Sequence, residues 1–278
     1  MPRLRARRVL SSRRARYYLA LHSAGGRFAR NPVTLLYLFV PLIAFLYASV
    51  GFGGATGYLA VMSLFGVEPQ AMASTALLLN VLVAGISFSS FYRAGHLRRD
   101  LLIPFVIASI PAAFLGGSFK ISDQAYSIIL YAVLTFVAIR LLFFSKKQDE
   151  NQVLRPIPFW LALMIGFVIG LLSGMVGIGG GIFLSPIILY ARWGNSKQAA
   201  TVAAAFIVLN SVSGLLGRFT GGALALDSFG LSLIPFGALG ALMGSWIGAQ
   251  RISNLNLRRA LGVVMTFAVT NFWWMLFK

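Results

Sequence analysis

Two clusters of glycine set in apolar sequence carry the chemistry this chain can offer: Gly51-Phe52-Gly53-Gly54 followed by Gly57, and Gly177-Ile178-Gly179-Gly180-Gly181, which starts 126 positions later. Glycine in a helix interior costs about 1 kcal/mol relative to alanine and bares the backbone. Within hydrocarbon, bare backbone is tolerated only where it is buried in protein or lines a polar cavity. Each cluster is therefore expected to break a helix near mid-membrane, as the substrate sites of secondary transporters do. Close helix packing through small residues is the competing reading. Where a helix restarts after glycine, its first N–H groups carry the positive end of the dipole and favour an anion. The restarts at 54–58 and 181–183 would supply such donors. Asn80 and Asn210 are costly in hydrocarbon unless hydrogen-bonded, so each is expected to face a cavity or to tie helices together. The expected binding set is Gly53, Gly54, Gly57, Ser74, Thr75, Asn80, Gly179, Gly180, Gly181 and Asn210. Arg93 and Arg218 are placed to draw anions to one mouth or to anchor helix ends at the interface.

Other chemistries are excluded by what the apolar runs lack. The six acids, Glu68, Asp100, Asp123, Asp149, Glu150 and Asp227, fall in turns or linkers, and so do His22 and His96. A proton relay through side chains at membrane depth is not expected. Paired carboxylates, nucleophile triads and metal-ligand clusters are missing too, so neither an enzyme nor a metal or cofactor site is expected. Cysteine is absent, which removes thiol chemistry.

These residues need elements that hold them in a membrane. The chain is 58% hydrophobic and only 11% charged, far from the roughly one-quarter charged residues of soluble domains. Apolar runs of about 20 residues recur, the length a helix needs to cross hydrocarbon. The net charge of +18 sits mainly in short loops and in the first 30 residues, where it sets topology rather than nucleic-acid binding. The expected plan is an all-α polytopic membrane protein: a basic cytoplasmic tail (1–32), a first transmembrane repeat (33–144), a polar linker (145–158) and a second repeat (159–278). About eight transmembrane helices form two homologous four-helix repeats, each with a glycine-broken first segment. Helices are expected at 71–91, 101–119, 124–144, 159–176, 198–216, 229–249 and 257–277. The stretch Ala73 to Asn80 lines up with Ala203 to Asn210, and each is followed by an arginine, a glycine turn and a proline, so the chain reads as an internal duplication. If each broken segment crosses once, the repeats are parallel; if each turns back at its glycines, they are inverted. Counting basic residues favours the parallel arrangement, with Arg98, Arg99 and Arg155 on one side and Lys120, Arg192 and Lys197 on the other.

The duplicated pattern of apolar helix, Gly-x-Gly-Gly-Gly, a short piece containing Ser185-Pro186, an Ala/Thr-rich helix ending near Asn and an Arg-to-Gly turn resembles the TauE/SafE sulfite exporter family. The resemblance covers residue 33 to the end. It implies a transporter of small sulfur-containing anions such as sulfite, sulfoacetate or thiosulfate; the expectation is efflux across the cell membrane by alternating access between the two halves. The first half departs from the pattern at Ala55 and lacks a counterpart of Pro186, and Ala204-Ala205 leave Ser74 and Thr75 without polar counterparts. An inside-negative potential favours anion exit by about 2.3 kcal/mol per charge per 100 mV, so export needs no proton-binding side chain. The expected partners are a small anion and the lipid bilayer, with no nucleic acid and an oligomeric state the sequence does not set. A scaffold subunit with dry-packed glycines and an anion channel are the alternatives.

Overall fold

The computed structural model describes residues 35–143 and 154–250, with Thr266 and Thr270. The basic tail, most of the polar linker and the expected helix at 257–277 lie outside the described residues. From Leu36 onward the elements are α1 (Leu36–Ala48), α2 (Ala55–Leu64), α3 (Pro69–Arg93), α4 (Arg99–Ser118), α5 (Asp123–Phe143), α6 (Phe159–Val176), α7 (Gly181–Tyr190), α8 (Ser196–Thr220), α9 (Ser228–Ser232) and α10 (Ile234–Gln250). The helix expected over 229–249 is divided: α9 ends at Ser232 and α10 restarts at Ile234, with Pro235 in its first turn, where a missing N–H costs little.

The start signals are local. Pro69 opens α3 at its first helical position. Asn195 caps α8 reciprocally: its side chain accepts from Gln198 N at 2.9 Å, and Gln198 Oε1 accepts from Asn195 N at 3.1 Å. These two 25-residue helices form the centre, with 67% and 72% of their apolar windows buried against 39% for α4 and α6. The outward faces are apolar as well: Leu38 and Leu42 on α1, Trp160 and Met164 on α6, and Leu239, Leu242 and Trp246 on α10 are exposed. A shell of that composition is solvated by lipid, not water.

The helices close on one another through glycine. A Cβ on Gly166, Gly170 or Gly174 of α6 would collide with the carbonyls of Phe105, Ser109 and Ala113 on α4, and one on Gly240 or Gly244 of α10 with those of Pro41 and Phe45 on α1. Without a hydrophobic drive between helices in lipid, this close backbone contact supplies the packing energy.

Both broken segments turn back on themselves. Gly57 of α2 lies against Ile43 and Tyr47 of α1, and the Phe39 and Phe65 rings are 6.4 Å apart, so α2 returns to the end of the molecule from which α1 sets out. In the second half Arg155 N donates to Arg192 O at 2.8 Å, so the start of α6 and the end of α7 share an end. That end also holds Arg98, whose guanidinium donates to Trp193 O at 2.9 Å, and His96, held below the usual imidazole range by partial burial and by the nearby Lys197 charge. The opposite end carries Pro69, Lys120 and Ala223. The parallel arrangement favoured by the charge count is therefore corrected: it would separate Arg98 and Arg155 from Arg192 and Trp193, which are neighbours. The count went astray because basic residues in loops do not report whether a short broken segment crosses or returns. The first hairpin enters from the Lys120 end and the second from the Arg98 end.

Candidate functional site

The tips of the two hairpins meet at Asn80. Positive φ at Gly51 (80°) and Gly54 (94°), and at Gly177 (89°), Gly179 (76°) and Gly180 (82°), lets the chain reverse where a side chain would be strained. Gly54 and Gly180 stand as the N-caps of α2 and α7 and, being glycines, bring no capping side chain of their own. Asn80, fully buried at mid-α3, spans both tips: its Oδ1 accepts from Ala55 N at 3.1 Å and its Nδ2 donates to Ile178 O at 3.2 Å. One amide thus satisfies a free donor of the first break and a free acceptor of the second, which a helix end in lipid requires.

The space around Asn80 is filled. A Cβ at Gly53 would overlap Asn80 Oδ1 and lie 3.0 Å from Ile207; one at Gly179 would lie 2.6 Å from Asn80 Nδ2, 2.8 Å from Ile207 and 3.1 Å from Ser211 Oγ; one at Gly181 would lie 2.6 Å from Ile207. Gly54 is covered by the Tyr58 ring, and Gly180 by Ile169 and Phe206. The expectation of a wet hollow between the breaks is corrected for this conformation: the two breaks do face each other, but Asn80 and Ile207 occupy the ground between them.

The remaining expected residues stand apart from this point. Gly57 packs into α1. Ser74 Oγ donates to Gln70 O at 2.9 Å and accepts from Ala225 N at 3.1 Å, holding the loop after α8. Thr75 is buried beside Gly230 of α9. Asn210 is fully buried with neither amide atom hydrogen-bonded among the described residues, and it does not bridge the breaks. Its equivalence to Asn80 fails on register: α3 and α8 start at Pro69 and Ser196, and the positive-φ glycines after them are Gly95 and Gly222, both 127 positions apart. In that register Ile207, not Asn210, stands opposite Asn80.

Four hydroxyl residues beside the breaks were missed. Tyr47 Oη and Thr56 Oγ1 are hydrogen-bonded at 2.7 Å across the first hairpin. Among the described residues Tyr58 Oη and Ser211 Oγ are buried without a partner, next to Gly54 and Gly179 respectively. The available signal was spacing: Tyr47 and Tyr58 each stand four positions outside the first glycine cluster, and Ser211 lies one turn beyond Ile207. Arg218, expected at a mouth or an interface, is 5% exposed and donates to Met175 O at 2.7 Å and Gly174 O at 3.3 Å, closing the C-terminal end of α6.

An all-helical bundle with a lipid-facing apolar shell, and with two broken hairpins meeting at a buried amide, has the build of a polytopic membrane transporter. The comparisons with known proteins agree. The family model "Sulfite exporter TauE/SafE" matches residues 36–272, and the chain belongs to that family. It is 34% identical over 235 residues to the probable membrane transporter protein y4hK of Sinorhizobium fredii, covering 84% of this chain and 95% of that one. It is 24% identical to the probable membrane transporter protein MJ0441 of Methanocaldococcus jannaschii, covering 82% and 84%. It is also 24% identical to the probable membrane transporter protein YunE of Bacillus subtilis, covering 68% and 73%. No solved structure matches the chain significantly. Dry-packed glycines alone would suit a scaffold; membership of a transporter family decides for transport.

Proposed function

We propose that this protein exports a small sulfur oxyanion, sulfite or an organosulfonate, from the cell by alternating access. Its two halves act as inverted four-helix repeats that rock about the hairpin tips, in the manner of transporters built from such repeats. The observation that carries this reading is Asn80 bonded to both breaks at once, with an unpartnered hydroxyl beside each, Tyr58 Oη and Ser211 Oγ. Opening the first hairpin away from Asn80 frees Ala55 N at the start of α2, opening the second frees the Asn80 Nδ2 donor from Ile178 O, and either movement brings those hydroxyls into reach of an anion. The closed packing is then the occluded form. With no carboxylate or imidazole at the breaks, the membrane potential supplies the drive, about 2.3 kcal/mol per charge per 100 mV. The halves contribute unequally, since the first brings Tyr58 and Asn80 and the second Ser211 and Ile207.

Sulfite efflux from proteoliposomes tests this. Flux is expected to saturate with sulfite and to rise with an imposed potential that draws anions outward; flux indifferent to the potential sinks charge-driven export, and non-saturating flux makes the protein a channel. Ser211→Ala separates site from packing. Removing a buried hydroxyl that has no partner should leave the thermal midpoint unchanged or raised, while flux falls several-fold. A variant with wild-type flux would remove Ser211 from the path.

A further inference from the structure

We infer that a second anion site lies at the Lys120 end, in a cavity between the start of α3, the α4–α5 turn and the end of α8. This inference rests on the reading of the protein as an anion transporter and gives it a loading site separate from the hairpin tips. The cavity is lined by Gln70, Lys120, Asp123, Tyr126, Met175 and Arg218. Arg218 is the reason to look here. Its guanidinium is buried against neutral carbonyls of Gly174 and Met175, its Nε has no partner, and among the described residues no carboxylate lies within ion-pair distance of it. A buried cation is normally paired with a counter-charge, and the negative end of the α6 dipole offsets it only in part.

The surroundings add positive potential. Lys120, exposed at the rim, reaches over Gly222, whose Cβ would lie 3.3 Å from Nζ, and so brings its ammonium to the mouth of the cavity. Tyr126 Oη lies near the guanidinium but is a neutral hydroxyl that donates its proton to Val176 O at 3.0 Å, so it supplies no counter-charge. The 25-residue α3 begins at Pro69 and Gln70 on the cavity wall, with no side-chain cap on its first turn. Asp123, also on the wall, is the opposing charge; it is exposed at the start of α5 and forms no ion pair with Lys120 or Arg218. Two cations, one helix start and one carboxylate leave a net attraction for an anion.

Size narrows the ligand. The cavity encloses about 20 Å³, room for one or two water molecules, since a water needs about 10–15 Å³ on this measure. The cavity is partly open, so it would take the oxygens on one side of a small inorganic oxyanion or of an organosulfonate head, with the rest of the ion projecting outward.

Sulfite titrations of the purified full chain, followed by thermal unfolding at constant ionic strength in a gluconate background, test the site. A saturable stabilisation is expected, with the half-saturating sulfite concentration raised at least fivefold in Lys120→Gln and in Arg218→Gln. Lys197→Gln, which removes the same charge at an exposed position of the opposite end, should keep the wild-type value. Lys120 is exposed, so its variant folds whatever Arg218 does. Equal half-saturation in wild type and Lys120→Gln overturns the inference, as does loss of binding in Ser211→Ala alone, which places the only sulfite site at the hairpin tips. If Ser211→Ala transports normally while the Lys120 and Arg218 variants lose binding, the end cavity stands and the tips do not.

Discussion

Replacing Asn80 with leucine is expected to remove at least nine-tenths of transport and to lower the stability of the folded protein. The loss has two parts. Leucine leaves Ala55 N and Ile178 O buried without the partners they have at 3.1 and 3.2 Å, and an orphaned backbone group costs about 1–3 kcal/mol. Side-chain hydrogen bonds between helices in lipid are worth less than that, about 0.6 kcal/mol on average, because the unfolded chain in the membrane also finds partners. Here the lower figure does not apply in full, since both partners are backbone at glycine breaks that cannot regain helical bonds without undoing the hairpins. A net loss of about 1–3 kcal/mol is expected, read as a lower midpoint in detergent-denaturation of the reconstituted protein. Transport suffers more than stability because the amide is the part the two hairpins share. Asn80→Leu protein with normal efflux would mean that the meeting point of the breaks is packing only.

A second large effect is expected at Gly174. Its Cβ would overlap Ala113 O and lie 2.6 Å from Gly117 N, both backbone atoms that cannot swing aside. Gly174→Leu must therefore separate α4 from α6 along a seam that Gly166 and Gly170 also close, and no monodisperse protein is expected on size exclusion. Gly85→Leu is the control: nothing lies within 4 Å of a Cβ there, although the residue also sits inside a membrane-length apolar helix, α3. Equal yields of the two variants would show that the helices are held by something other than backbone contact.

Element positions were legible in the sequence because hydropathy and stop signals coincide. The expected helices at 71–91, 101–119 and 124–144 differ from α3, α4 and α5 by one or two residues at their ends, and the glycine clusters do break the chain. Helix α8 runs longer than the expected 198–216 at both ends: the Asn195–Gln198 capping box starts it earlier, and it continues through Gly217 to Thr220. What hydropathy does not carry is direction. A positive φ at Gly54 or Gly180 says that the chain bends but not that it reverses, and α2 and α7, 10 residues each, are equally apolar either way. Register was lost for a related reason. Matching Ala73–Asn80 to Ala203–Asn210 by residue type gives a shift three positions larger than the helix ends impose, because like residues in apolar repeats recur by composition. That error hid Ile207 and Ser211, which lie on the face of α8 turned to the second break.

The account stands on two hairpins that enter from opposite ends and return, and the protein contains no cysteine to interfere with side-specific labelling. Single variants Arg99→Cys, Lys197→Cys and Lys120→Cys, each at an exposed loop or helix-end position, should be treated in intact cells and in inverted vesicles with a membrane-impermeant maleimide. Arg99→Cys and Lys197→Cys are predicted to react from the same side, and Lys120→Cys from the other. Labelling of Arg99→Cys and Lys197→Cys from opposite sides would mean that the broken segments cross the membrane once, and would contradict the meeting of their tips at Asn80.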